Sequence, residues 1–160
     1  MKRAISIVTF LFLFAEIGAQ GIPKWKITEL ETYINKSEVP LIITFWATYC
    51  KPCVQEIPYF HELAKKYESS GIKLLLVSLD FEESYPAKIK RFADKQKYTA
   101  SIVWLDESNA DYFCPKIDKT WSGVMPATVF INNKTGYRNF IEEQIPKEKM
   151  EAEIKRMAGL

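Results

Sequence analysis

The sequence predicts an α/β domain with a central mixed sheet, parallel over most of its width, a C-terminal antiparallel hairpin, and helices on both faces. Three observations carry this. Short apolar runs alternate with stretches of helical spacing, the pattern of strands joined by crossover helices. The runs 41–46 and 72–79 are apolar nearly throughout, as strands covered on both faces are. Near the end, 127–131 and 137–141 flank a turn at Asn132-Asn133-Lys134-Thr135-Gly136.

The chain has 160 residues and a net charge of +2, which suits one domain and gives no pointer to nucleic acid or to acidic substrates. No internal repeat or low-complexity tract is present. The first residues read separately. Lys2 and Arg3 precede an apolar stretch over 5–15, and small residues follow at Gly18, Ala19 and Gly21. This is the pattern of a secretory signal peptide over 1–21, leaving a single domain over 22–160. Cleavage after Ala19 and cleavage after Gly21 both fit. An uncleaved anchor is the other reading, although the run is shorter than the ~20 residues a spanning helix needs. Export would place the domain in an oxidising compartment, where disulfides are permitted. The three cysteines are an odd number, so at least one thiol is left over.

The elements follow in order. Thr28 and Glu31 have the spacing of a capping box, and Ile27, Leu30 and Ile34 that of one helix face, which predicts a helix over 28–36. The strand 41–46 feeds Cys50-Lys51-Pro52-Cys53, and a helix is expected over 54–69. Cys53, Ile57, Phe60, Ala64 and Tyr67 form its apolar stripe, so Cys53 starts on the core side and Cys50 is free to be exposed. Pro58 removes the donor that would pair with the Val54 carbonyl, and Gly71 closes the segment. After the strand 72–79 come a polar loop, a helix over 85–97, a strand over 101–105 and a short helix within 108–119 broken at Pro115. Pro146 opens a last helix with Met150, Ile154 and Met157 on one face.

Two cysteines separated by two residues, where a strand turns into a helix, read as a redox dithiol. A thiol at a helix N-terminus faces unpaired N–H groups and the positive end of the macrodipole, and both favour the reactive thiolate. A structural disulfide is the plainer reading, but so short a loop gains little from closure. A zinc site would need two more ligands, and His61 would lie about 12 Å along the helix from Cys53. His61 reads as a solvated helix residue, and Cys114 as a free thiol packed like a small hydrophobe. Trp46 and Trp121 read as packing aromatics that could also line the site.

The stretch Phe45-Trp46-Ala47-Thr48-Tyr49-Cys50-Lys51-Pro52-Cys53 resembles the active-site segment of the thioredoxin superfamily. The continuation Val54-Gln55-Glu56-Ile57-Pro58 resembles its TlpA/ResA-like periplasmic reductases, and Met125-Pro126-Ala127-Thr128 is similar to the family's cis-proline loop. The resemblance implies a thioredoxin fold and thiol–disulfide exchange. It makes Cys50 the nucleophile, Cys53 the resolving thiol and Glu56 the acid/base, with Met125, Pro126, Trp46 and Tyr49 as substrate-facing residues. Two positions depart from the pattern. Thr44 stands where thioredoxin has a buried aspartate, and Tyr49 where tryptophan is usual.

The expected function is that of an exported oxidoreductase reducing disulfides in periplasmic proteins, with apocytochrome c among the clients the family suggests. Its partners are disulfide-containing exported proteins and a membrane-embedded dithiol electron donor. A monomer is expected, with no cofactor, no metal and no nucleic acid. The same fold also serves oxidases and isomerases, and Lys51-Pro52 does not fix the direction. A thiol-based copper chaperone and an inactive thioredoxin-like interaction module are the readings from other functional classes.

Overall fold

A computed structural model describes residues 21–160. The expected signal peptide over 1–21 lies, apart from Gly21, outside the described residues. The described elements are β1 (Lys24–Trp25), α1 (Ile27–Asn35), β2 (Leu41–Trp46), α2 (Lys51–Lys66), β3 (Lys73–Ser78), α3 (Ala87–Gln96), β4 (Ser101–Leu105), α4 (Ala110–Ile117), β5 (Ala127–Asn132), β6 (Tyr137–Ile141) and α5 (Lys147–Ala158). Six strands form one sheet in the order β1-β4-β3-β2-β5-β6. The pairs β1–β4, β4–β3 and β3–β2 are parallel, while β2–β5 and β5–β6 are antiparallel. This is the mixed sheet the alternation predicts, with β1 as an added edge.

Strand periodicity sorts the core. Ile43, Phe45, Leu75, Val77, Val103, Ala127 and Val129 pack with α1 and α4 on one face. On the other face Ile42 and Phe130 pack with α2 and α5, while Trp46, Leu76 and Trp104 pack with α2 and α3. Thr44 and Thr128 sit opposite each other across β2 and β5, their hydroxyls 3.0 Å apart. The buried position that holds an aspartate in thioredoxin is thus satisfied here by a neutral hydroxyl pair.

Several local expectations change. The first helix begins earlier than the Thr28–Glu31 pattern suggests: the Lys26 N–H donates to Glu29 Oε2 at 2.7 Å, and Thr28 lies inside the helix. The stripe on α2 runs through Leu63 rather than Ala64. α4 continues through Pro115 instead of breaking there. The missing N–H costs only a bond to the carbonyl of exposed Asp111, while the Asp118 N–H still closes the last turn on Cys114. Tyr85–Pro86 is a cis peptide that the sequence reading missed.

Candidate active site

α2 starts at the C-terminal end of β2, so its first turn points out of the sheet edge where parallel strands place ligand sites. Cys50 is the N-cap residue. It forms a disulfide with Cys53, the two Cα atoms 5.3 Å apart. The Cys53 N–H points at Cys50 Sγ at 3.4 Å. When the disulfide opens, that donor and the helix dipole favour a thiolate on Cys50. Cys53 is fully buried, with its sulfur 4.0 Å from the Phe45 carbonyl, which gives a reduced Cys53 thiol an acceptor. Cys50, which the sequence left free to be exposed, is 8 % exposed, clustered with Trp46 and Ala47 with Met125 packed against them.

Glu56 follows Cys53 by one helical turn and is fully buried. Its Oε2 accepts the Ile145 N–H at 2.8 Å, from the segment before α5, while Oε1 is buried without a partner. Burial pushes its carboxyl up to about 7, against a smaller downward pull from the Ile145 bond. A group that titrates near neutrality, one turn from a buried thiol, is suited to take and return a proton there.

Two carboxylates hold the loops on either side. Asp80, just past β3, accepts the Thr48 N–H at 3.1 Å on both oxygens, the Thr48 hydroxyl at 2.5 Å and the Ser78 hydroxyl at 2.8 Å. Its own carbonyl accepts the Trp104 indole N–H at 2.7 Å. Thr48 is two residues before Cys50, so Asp80 anchors the loop that leads into Cys50. On the other side Met125–Pro126 is a cis peptide. The loop before it is held by Glu142, which accepts the N–H and hydroxyl of Ser122 and the N–H of Val124, all within 3.1 Å. Gly123 lies between them at φ +92, a backbone state that disfavours any side chain. Partial desolvation raises the Glu142 carboxyl, but the bonds from Ser122 and Val124 outweigh it and hold it below the usual range. Replacing Glu142 with Ala is expected to raise KM for a protein disulfide roughly threefold to tenfold with a smaller change in kcat, the outcome for a lost loop anchor. Steady-state reduction kinetics check this.

Neither Asp80 nor Glu142 was singled out from the sequence. A polar residue at the end of an apolar strand was the only signal for Asp80, and nothing local marks Glu142.

The remaining expected site residues separate. Tyr49 is 55 % exposed and stacks on exposed Phe81 at 5.4 Å between ring centroids. Met125 is half-buried and Pro126 buried. Tyr49 and Met125 border a groove of about 540 Å3 that also includes Phe81, Trp104 and Phe113. Trp46 is not substrate-facing: it is fully buried beneath the disulfide against Phe92 and Tyr98. Trp121 is a packing residue as well, between Phe45, Phe113 and Phe140. His61 is half-buried rather than freely solvated. It stacks on Tyr98 at 5.5 Å, its Nε2 is buried without a partner, and burial lowers its pKa. Cys114 is the expected buried free thiol, pushed up to about 11 mainly by burial. Among the described residues no group of three or more His, Cys, Asp or Glu side chains is placed to hold a metal ion.

The AhpC/TSA family profile matches residues 19–136. A thiol-disulfide oxidoreductase ResA from Bacillus thuringiensis subsp. konkukian (strain 97-27) is 31 % identical over 149 residues, covering 89 % of this chain and 79 % of that one. Among solved structures, a thioredoxin-related protein from Neisseria meningitidis serogroup B superposes with a TM-score of 0.66 at 23 % identity, over 79 % of this chain and 91 % of that one. A thiol:disulfide interchange protein of the thioredoxin family from Chlorobium tepidum TLS gives a TM-score of 0.61 at 18 % identity, over 76 % and 81 % of the two chains. At those identities the two structures speak for the thioredoxin fold alone. With the ResA likeness and the dithiol at the start of α2, the chain belongs to the AhpC/TSA family as a ResA-like thiol-disulfide oxidoreductase.

Proposed function

We propose that this oxidoreductase works outside the cytoplasm as a reductase of disulfides in exported proteins. The observation that carries the reading is Glu56, a buried carboxyl brought to about 7 one turn after the buried Cys53. Such a group serves the step a reductase must complete, the release of its client from a mixed disulfide.

The reduced enzyme begins with a Cys50 thiolate held by the Cys53 N–H and the α2 N-terminus. It attacks one sulfur of a client disulfide. The client S–S bond breaks, a Cys50–client bond forms, and the departing client sulfur takes a proton. Cys53 then loses its proton to the Glu56 carboxylate and attacks Cys50 Sγ. The mixed disulfide breaks, the Cys50–Cys53 disulfide forms, and the second client thiol leaves with a proton. Two electrons pass from enzyme to client, and a membrane-embedded dithiol restores them. Met125 and Pro126 bound the client's approach, and Tyr49 offers an exposed aromatic face on the other side. Apocytochrome c is one client of suitable chemistry.

The basic and apolar residues at the start of the sequence support export. The test is to express the full chain in a bacterium, fractionate it, and trap thiols with an alkylating reagent before lysis. The reading expects a periplasmic protein whose Cys50–Cys53 pair is largely reduced while the membrane donor is present and oxidised once it is deleted. A cytoplasmic protein, or a pair that stays oxidised in the donor's presence, would contradict it.

A further inference from the structure

We propose that Asp80 is a positioning residue that also sets how reducing the Cys50–Cys53 pair is, because its carboxylate is locked against the loop carrying the nucleophile. This rests on the redox reading of that pair. Asp80 is 4 % exposed. All its side-chain contacts come from donors, namely the Thr48 N–H, the Thr48 hydroxyl and the Ser78 hydroxyl. Among the described residues it has no cation partner; its charge is offset by neutral donors alone.

The anchor leaves Asp80 little freedom. The Leu79 N–H bonds to the Trp46 carbonyl at 2.8 Å, which ties the end of β3 to the end of β2. The Ser78 hydroxyl donates to the carboxylate and accepts the Asp80 N–H at 3.1 Å. The Cys50 N–H closes a turn on the Ala47 carbonyl at 3.0 Å, so Thr48, held by Asp80, lies within the turn that ends at Cys50. The charge is felt next to the nucleophile: Tyr49 is raised first by desolvation and then by Asp80.

The chemical consequence has a definite sign. A fixed negative charge near Cys50 opposes the thiolate that the Cys53 N–H and the helix dipole favour. The disulfide carries no charge and is unaffected. Destabilising the reduced form relative to the disulfide makes the pair give up electrons more readily, which lowers its reduction potential. Other charges face the same area. Lys51 on α2 lies beside Cys50 and acts in the opposite sense, and Glu56 is buried on α2 one turn after Cys53. Lys26, Glu82, Asp106 and Glu107 line the groove that Asp80 and Tyr49 share. Lys26 and Lys24 are both paired with Asp106. Asp80 is the acidic group hydrogen-bonded to the cysteine loop itself.

The experiment measures two quantities in the full mature chain: the Cys50 thiol pKa, from the pH dependence of alkylation, and the equilibrium with dithiothreitol. In that equilibrium the enzyme disulfide takes two electrons from reduced dithiothreitol, which closes to its cyclic disulfide; the protons released go to the enzyme thiols, or to solvent where Cys50 is the thiolate. Asp80→Asn keeps an acceptor for Thr48 and removes the charge. It is expected to stabilise the thiolate roughly tenfold, the scale of one unit charge acting through several ångströms of protein. At about pH 9, where the thiolate dominates, that tenfold change makes the pair less reducing by about 30 mV. Ser78→Ala removes one donor and leaves the carboxylate charge less offset, so it is expected to raise the Cys50 pKa and make the pair more reducing. A residue that only braced the loop would move both variants the same way. An unchanged Cys50 pKa in Asp80→Asn, or shifts of one sign in both variants, overturns the proposal. Should Asp80→Asn fail to fold, Ser78→Ala decides alone, and an unchanged or lowered pKa overturns it. Insulin reduction by the unsubstituted protein tests the redox reading separately, since its loss would refute that reading whatever the thiol pKa.

Discussion

Cys50→Ala is expected to abolish disulfide reduction, by roughly 10³-fold or more, because no other thiol can begin the exchange. Cys53 is fully buried beneath Cys50, and Cys114 is buried with its thiol pushed up to about 11. Cys53→Ser is expected to give a different defect. Its Cys50 still attacks, but the mixed disulfide has nothing to resolve it, so client accumulates covalently bound to the enzyme. Non-reducing electrophoresis after incubation with a disulfide-bonded peptide distinguishes the two. The account predicts an adduct with Cys53→Ser and none with Cys50→Ala. An adduct with Cys50→Ala, or full turnover by Cys53→Ser, would reverse the assignment of nucleophile and resolving thiol.

Glu56→Gln carries the second large effect. The substitution is nearly isosteric and removes the titrating group. Resolution of the mixed disulfide is expected to slow by about 10²-fold, within the usual range for a positioned acid or base. The rise in rate through pH 7 should flatten, because the proposed base is available only as Glu56 ionises. Stability moves the other way. The folded-state carboxyl is raised from 4.5 to about 7, so the folded protein holds a proton that the unfolded chain has released. That contribution is fully present below the ordinary carboxyl value and is lost as pH rises to about 7. The shift corresponds to about 3 kcal/mol, the cost of ionising a buried, half-partnered group. Glu56→Gln is therefore expected to be less sensitive to alkaline pH, with the larger gain over wild type at pH 8 than at pH 5. Thermal melts across that range, beside single-turnover kinetics, check both halves.

What was legible in the sequence was local. The cysteine spacing, the strand before it and the helix after it are neighbours in the chain, and the alternation of apolar runs is enough to place them at a sheet edge. Glu56 was legible for the same reason, since residues three apart share a helix face. Its burial was not, because its one partner, Ile145, is 89 residues away. Asp80 was missed on similar grounds: it acts on Thr48 across 32 residues. His61 was misread because the ring that covers it, Tyr98, comes from the segment between α3 and β4. Trp46 was open to a site role because strand alternation gives its face of the sheet without saying how deep under α2 and α3 that face lies. In the first helix the error was a competition between two overlapping caps, which the Lys26–Glu29 pair won over Thr28. The hairpin and the last helix needed only periodicity and turn chemistry, and Met150, Ile154 and Met157 are buried as their spacing indicates.

The reduction potential of the Cys50–Cys53 pair tests the account most directly. The mature protein would be equilibrated with dithiothreitol or glutathione, quenched by alkylation and scored for free thiols. The account predicts a value near or below the ~ −270 mV of thioredoxin, as a reductase requires. A value near the ~ −120 mV of a strong oxidant would contradict it and make the same site an oxidase.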